Sequence, residues 1–135
     1  MQSNQTEIAA VMAAAKRQFL EENKKPGEVY SGLMLGTPED PRDYHLFVMP
    51  GDIDGNWDKC MKWAAENGGD LPTRREQRVL GANAKSAFKD ARYWSREQRA
   101  GNPGYAWGQG FDDGGQYFSH KSFAGRARAV RRVYL

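Results

Sequence analysis

Apolar positions fall into three textures along the chain. Residues 4–22 carry Ile8, Val11, Met12, Ala15 and Phe19 at spacings of three and four, which predicts an amphipathic helix, with Asn4 and Glu7 placed to cap it. Packing on the following domain is the first expectation for this stripe, and a handle between two copies is the second. Lys24-Lys-Pro-Gly27 ends the helix as a linker. From Val29 to Leu35 and from Tyr44 to Met49 the residues turn β-branched, aromatic and aliphatic, and the turn formers between them predict two antiparallel strands joined by a loop. A second helix is expected from a cap at Asn56 or Asp54 to Asn67, with Trp57, Cys60, Met61 and Ala64 on its buried face.

The stretch Gly68-Gly-Asp-Leu-Pro-Thr-Arg-Arg-Glu76 organises the rest. The two glycines can take the positive φ that closes a helix. Pro72 forces Leu71 out of the helical region, so Leu71 is expected extended and in the core. Thr73 with Glu76 three residues later is a capping box, which starts a third helix running to about Asn83. That helix has Val79 and Leu80 as apolar contacts and Arg74, Arg75 and Arg78 on its outer face. Beyond Phe88 the aromatics Tyr93, Trp94, Tyr105, Trp107, Phe111, Tyr117, Phe118 and Phe123 are broken by Gly/Pro and Asp/Gly turns, predicting short strands. The terminal Arg126-Ala-Arg-Ala-Val-Arg-Arg132 alternates until Val130-Arg131, suggesting one last strand with a bulge.

A chain of 135 residues with 39% apolar content suits a single domain with its own core. We divide it into the helix and linker, residues 1–27, and the domain, residues 28–135. Charge is unevenly placed. Residues 1–70 hold 7 Lys+Arg against 12 Asp+Glu, a balance of −5, and residues 71–135 hold 13 against 5, a balance of +8. Ten of those thirteen cations are Arg, which suits planar and phosphate contacts. Nucleic-acid binding through Arg74, Arg75, Arg78, Arg126, Arg128, Arg131 and Arg132 is therefore an alternative to be tested, against internal ion pairing with the acidic half.

Candidate chemistry is sparse. Asp52, Asp54, Asn56 and Asp58 alternate as in a calcium loop, but Trp57 and Trp63 stand where its glycine and closing glutamate belong. Cys60 is the single cysteine, so no intrachain disulfide forms, and it is read as a small core hydrophobe. His45 and His120 are isolated. No nucleophile elbow, phosphate loop or paired carboxylate is present, so neither an enzyme activity, a metal nor a cofactor is predicted. Nothing reads as a signal peptide or a bilayer span, which makes the cytoplasm the expected compartment.

Four segments carry a resemblance: Leu71-Pro-Thr-Arg-Arg-Glu76, Tyr93-Trp-Ser-Arg-Glu97, Ala106-Trp107 leading to Phe111-Asp-Asp-Gly-Gly-Gln116, and Arg126-Ala-Arg-Ala-Val-Arg-Arg132. Over residues 29–134 the chain resembles the Lcl C-terminal domain family, bacterial and phage domains of C-type-lectin-like fold, and is similar to short standalone phage and prophage versions. It departs from many members by placing Gly69-Asp70 before Leu-Pro-Thr. The resemblance implies an α+β, C-type-lectin-like fold: two helices and a mixed, mainly antiparallel twisted sheet, preceded here by the N-terminal helix. It also implies a terminal strand that returns to pair near the first, and long irregular loops, about 95–104 and 111–123, that form the ligand surface. The calcium-dependent sugar signatures of the wider fold are absent; Asn102-Pro103-Gly104 keeps only the proline. A single cysteine argues against a formylglycine-generating activity.

The expected function is thus non-catalytic and calcium-independent binding of a macromolecule, with a host protein inside the infected cell as the leading partner and an inhibitory, anti-defence role. The candidate contacts are Arg96, Arg99, Tyr105, Tyr117, Phe118, His120 and Lys121, an aromatic and basic mixture common at interaction hot spots. A virion-borne glycan or receptor contact is the alternative setting. Trp94 and Trp107 are expected in the core, and one of the adjacent Tyr117 and Phe118 must face away from it.

Overall fold

The computed structural model describes residues 2–135. The architecture is α+β: helices α1 (Gln2–Asn23), α2 (Trp57–Glu66) and α3 (Arg74–Asn83), and strands β1 (Val29–Met34), β2 (Tyr44–Val48), β3 (Ile53–Gly55), β4 (Arg92–Arg99), β5 (Asn102–Gly110), β6 (Gln116–His120), β7 (Gly125–Ala127) and β8 (Val130–Tyr134). Two sheets form. The smaller has the order β1-β2-β8, all antiparallel. The larger has the order β3-β7-β4-β5-β6 and is mixed, with β4 and β7 parallel where Tyr93 meets Arg126.

The bend after α2 forms as its residues dictate. Asn56 caps α2 by accepting from the Lys59 amide, and Trp57, Cys60 and Ala64 are the buried face. Gly68 takes φ of 78°. Gly69 does not need a positive φ; it is small because a Cβ there would meet the Met49 sulfur at 2.4 Å and the Val130 carbonyl at 2.9 Å. Leu71 is fully buried. Both halves of the Thr73–Glu76 capping box are present.

Two apolar clusters flank this bend. One gathers Met34, Leu46, Val48, Leu80, Tyr93, Phe111 and Val130 between the small sheet and α3. The other gathers Trp57, Cys60, Ala64, Leu71, Trp94 and Ala127 beneath α2. Burial pushes the Cys60 thiol up to about 11. A thiol reagent should therefore leave native Cys60 unmodified and label it after denaturation; rapid labelling of native protein would mean that the inner face of α2 opens.

Several expectations are corrected. Helix α1 begins before Asn4, so Asn4 and Glu7 lie within it rather than at its cap. Ile8, Val11 and Met12 are 58–69% exposed, so most of its stripe does not pack on the domain. Only the last turns dock, where the Phe19 ring lies 3.9 Å from His45. The segment 95–104 is not a long loop but a hairpin, β4 and β5 joined through Ala100 and Gly101, the latter at φ 76°. Strand β6 likewise occupies the middle of 111–123.

The arginine-rich end is not one bulged strand. It is two strands serving two sheets, with the switch at Arg128–Ala129. Ala129 gives its carbonyl to the Met49 amide, and Val130 exchanges both backbone bonds with Asp70, which holds the crossing in place. The chain end then pairs with β2, with β1 beyond it.

A candidate aromatic and arginine face on β5 and β6

Strands β5 and β6 pair antiparallel with Trp107 opposite Phe118 and Tyr105 opposite His120. Side chains two apart share a face, so these four rings line one side of the hairpin. Each touches the next edge-on: Trp107 and Phe118 at 5.3 Å, Tyr105 and Phe118 at 5.9 Å, Tyr105 and His120 at 5.3 Å. Guanidinium groups lie over two of them. Arg74 stacks 3.6 Å from the Trp107 ring and Arg99 3.7 Å from the Phe118 ring.

One end of this face is closed by α3. Gln116 donates to the Arg74 carbonyl at 2.7 Å and to Gln109 at 3.0 Å, while Gln109 donates to the Gln77 carbonyl at 2.7 Å. This amide ladder fixes the start of α3 against the sheet, and so fixes the backbone from which Arg74 reaches Trp107. The other end is open. Phe118 is 39% exposed, His120 is exposed, and Trp107 is half-buried. His120 is oriented by Ser122, whose hydroxyl lies 2.7 Å from Nδ1.

Of the residues singled out from the sequence, Arg99, Tyr105, Phe118 and His120 come together here. Tyr117 faces the opposite side, where Arg92 stacks on it at 4.2 Å. Lys121 also lies elsewhere, over the Trp57 ring at 4.3 Å and bonded to Gln98 at 2.7 Å. Arg96 pairs with Asp70 at 2.5 Å. Trp94 is in the core as expected, 3% exposed, with its indole N–H donating to the Gly55 carbonyl. Its ring presses on Gly125, where a Cβ would sit 2.8 Å from Nε1. Trp107 is the correction: it belongs to the open face and to neither apolar cluster. The alternation Tyr105-Ala-Trp107 against Phe118-Ser-His120 is the signal that would have placed it there.

The seven arginines considered for nucleic-acid binding do not share one surface. Arg126 pairs with Asp52 at 2.7 Å, and that carboxylate also accepts from the Tyr93 hydroxyl. Arg128 donates to the Ala87 and Met49 carbonyls. Arg131 grips buried Glu28 through two bonds of 2.7 and 2.8 Å. Arg132 grips fully buried Glu76 through two bonds of 2.7 Å and reaches Asp70 at 2.8 Å. Arg75 donates to the Leu35 carbonyl at 2.5 Å and is exposed, as is Arg78. Arg126, Arg131 and Arg132 thus satisfy Asp52, Glu28 and Asp70 from the acidic half inside the fold. The alternating sequence at the C-terminal end is largely a record of that pairing.

Among the described residues no group of three His, Cys, Asp or Glu side chains is placed to hold a metal ion, and no helix is long and apolar enough to cross a membrane. Asp52 and Asn56 of the acidic loop are spent on Arg126 and on the α2 cap. Comparison with protein-family models and with curated proteins gives no match to this chain.

Proposed function

We propose that this chain is a non-catalytic binding protein on a C-type-lectin-like scaffold, and that it recognises a macromolecular partner through the open face of β5 and β6. The observation that carries this reading is the stack Arg74–Trp107–Phe118–Arg99, two touching rings flanked by two cations on a partly exposed sheet face. Arg and aromatic side chains dominate interaction hot spots because they bring large contact area and directional polar edges at low entropic cost. Rings already packed against one another and against guanidinium groups lose little further freedom on binding.

The resemblance in the sequence supplies the phage or prophage setting; within it we infer action inside the host cell, with a host protein as partner and an inhibitory, anti-defence role. A glycan contact on a virion uses the same ring faces and is the second reading. Nucleic acid is the third. With Arg126, Arg128, Arg131 and Arg132 committed to internal partners, only Arg74, Arg75 and Arg78 remain of the seven candidate arginines, so binding through that set should have a shallow salt dependence.

Capture from bacterial host lysate by the tagged full chain, with and without nuclease, tests this function. A single host protein retained in both samples is the expected result. Capture that disappears with nuclease, or no retained partner in either sample, would overturn the host-protein reading.

A further inference from the structure

Strand β6 is the free edge of the larger sheet, lying beyond β5 in the order β3-β7-β4-β5-β6. Its backbone groups can be assigned to sides. The Gly110 amide donates to the Gly115 carbonyl and the Lys121 amide to the Gly104 carbonyl, and these bonds flank an unbroken register of five pairs. Bonded and non-bonded pairs alternate along an antiparallel ladder, so Tyr117 and Ser119 bond inward to β5. Gln116, Phe118 and His120 turn their backbone groups outward. The His120 carbonyl is taken by the Phe123 amide at 2.9 Å. The N–H and C=O of Phe118 face outward with no strand beyond them.

Exposed edges invite pairing with another chain, and folded proteins blunt them with short strands, bulges, charged side chains or covering groups. Of the four sheet edges among the described residues, three carry such devices. Strand β1 is bulged between Tyr30 and Gly32, with Asn83 donating to the Ser31 carbonyl at 2.8 Å. Strand β8 is bridged at Val130 by Asp70 and carries Arg131 and Arg132. Strand β3 is three residues long and includes Asp54. Strand β6, Gln-Tyr-Phe-Ser-His, has no bulge, no proline and no Lys, Arg, Asp or Glu.

The side chains beside this edge state the charge of what would pair with it. Arg99 lies on the Phe118 ring and Arg74 on the Trp107 ring on one face, and Arg92 lies on the Tyr117 ring on the other. Among the described residues no carboxylate side chain is within ion-pair distance of any of these three arginines. Glu97 is engaged with the Arg74 amide at 2.6 Å, and Asp113 with the Gly115 amide at 2.8 Å. We infer that the partner contributes an extended, acidic segment that adds to β6 as a further strand. Its backbone pairs with the outward groups of Phe118, and the side chain opposite Phe118, on the same face, brings a carboxylate to Arg99. Main-chain bonds then supply affinity and the alternate side chains supply selectivity. This rests on the reading of the β5–β6 face as the binding site, and adds the form and charge of what binds there.

Fluorescence anisotropy with a labelled heptapeptide of alternating Glu and Val tests this, beside a Lys/Val counterpart. The acidic peptide should bind the wild-type chain about tenfold or more tightly than the basic one. Replacing the Phe118 amide by an ester removes one outward N–H and keeps the ring; it should weaken binding by about fivefold, the scale of one hydrogen bond. Arg99→Ala should weaken it as well, and melting curves should show both proteins folded. In the unaltered chain, hydrogen exchange at the Phe118 amide should slow when the acidic peptide is added. Equal binding of the two peptides, or none of the acidic one, would overturn the inference. So would binding that Arg99→Ala weakens while the ester and Phe118 exchange leave it unchanged, which is the result for charge attraction without strand addition. Host-protein capture by a chain that does not bind the acidic peptide would overturn strand addition and leave the face reading standing. Peptide binding without host-protein capture would support strand addition and overturn the host-protein reading.

Discussion

Glu76→Ala should destabilise the domain by about 3–5 kcal/mol, the cost of removing one partner from a buried ion pair and leaving the other unpaired. Glu76 has no solvent exposure. Its carboxylate accepts two bonds from Arg132, one from the Tyr44 hydroxyl at 2.6 Å and one from the Thr73 amide at 2.8 Å. The variant therefore loses half of the α3 capping box and the tie between α3 and β8 together. Urea unfolding with unchanged m-value is the measurement that checks the loss. A loss below about 1 kcal/mol, the range of an exposed pair, would mean that Arg132 finds a substitute in Asp70.

The same site sets an acid limb. Burial alone raises the Glu76 carboxyl, but the Arg132 hydrogen bonds and charge, with Tyr44 and Thr73, outweigh it and hold the group below its ordinary value. Glu28 is held below its ordinary value in the same way, burial being outweighed by Arg131 and the Lys25 amide. A depressed carboxylate contributes stability that is fully present above the ordinary glutamate pKa and is lost as pH falls through the folded value. Stability of the wild type should therefore fall in acid below the ordinary glutamate range. Glu76→Ala should flatten that fall, and an unchanged acid limb would place its origin elsewhere.

Phe111→Ala should cost a similar amount, about 3–5 kcal/mol, through loss of transfer free energy and an unfilled cavity. Phe111 is 1% exposed, stacked on Phe88 with ring centroids 4.0 Å apart and planes 8° from parallel, and it meets the Tyr93 ring edge-on at 5.3 Å. Its amide also donates to the Ala91 carbonyl, which ties the end of β5 to the start of β4. Because β5 carries Tyr105 and Trp107, loosening at Phe111 should weaken partner capture as well as stability. Phe111→Leu, which keeps most of the volume, should restore both.

The parts of this structure that were legible in the sequence are those whose causes are local. Gly68, Leu71, Pro72, Thr73 and Glu76 act on residues within a few positions, and each behaves as its chemistry predicts. Strands β1 and β2 follow from a β-branched, aromatic and aliphatic composition and a turn-rich loop. What was not legible depends on distant partners. Whether Trp107 is core or surface is decided by what lies over β5, and Arg74 from α3 lies there. Nothing near Arg126–Arg132 announces that two sheets share that segment, because the switch is fixed by Met49 and Asp70. The helical period of α1 was readable, but not that most of its stripe would stay exposed. For the candidate site, the residue types were legible and their sides were not: Tyr117 and Lys121 left the group, while Trp107 and Arg74 joined it.

Exchange of the open face alone tests the central claim most directly. Trp107→Ala combined with Phe118→Ala removes both stacked rings, and Lys59→Ala combined with Lys62→Ala changes the exposed side of α2 instead. Capture of the lysate partner by these two variants and by wild type should be compared at equal protein concentration, with melting curves confirming that all are folded. The β5–β6 variant should lose capture by about tenfold or more, the scale of truncating hot-spot residues, while the α2 variant should match wild type. Undiminished capture by the folded Trp107/Phe118 variant would contradict the assignment of this face.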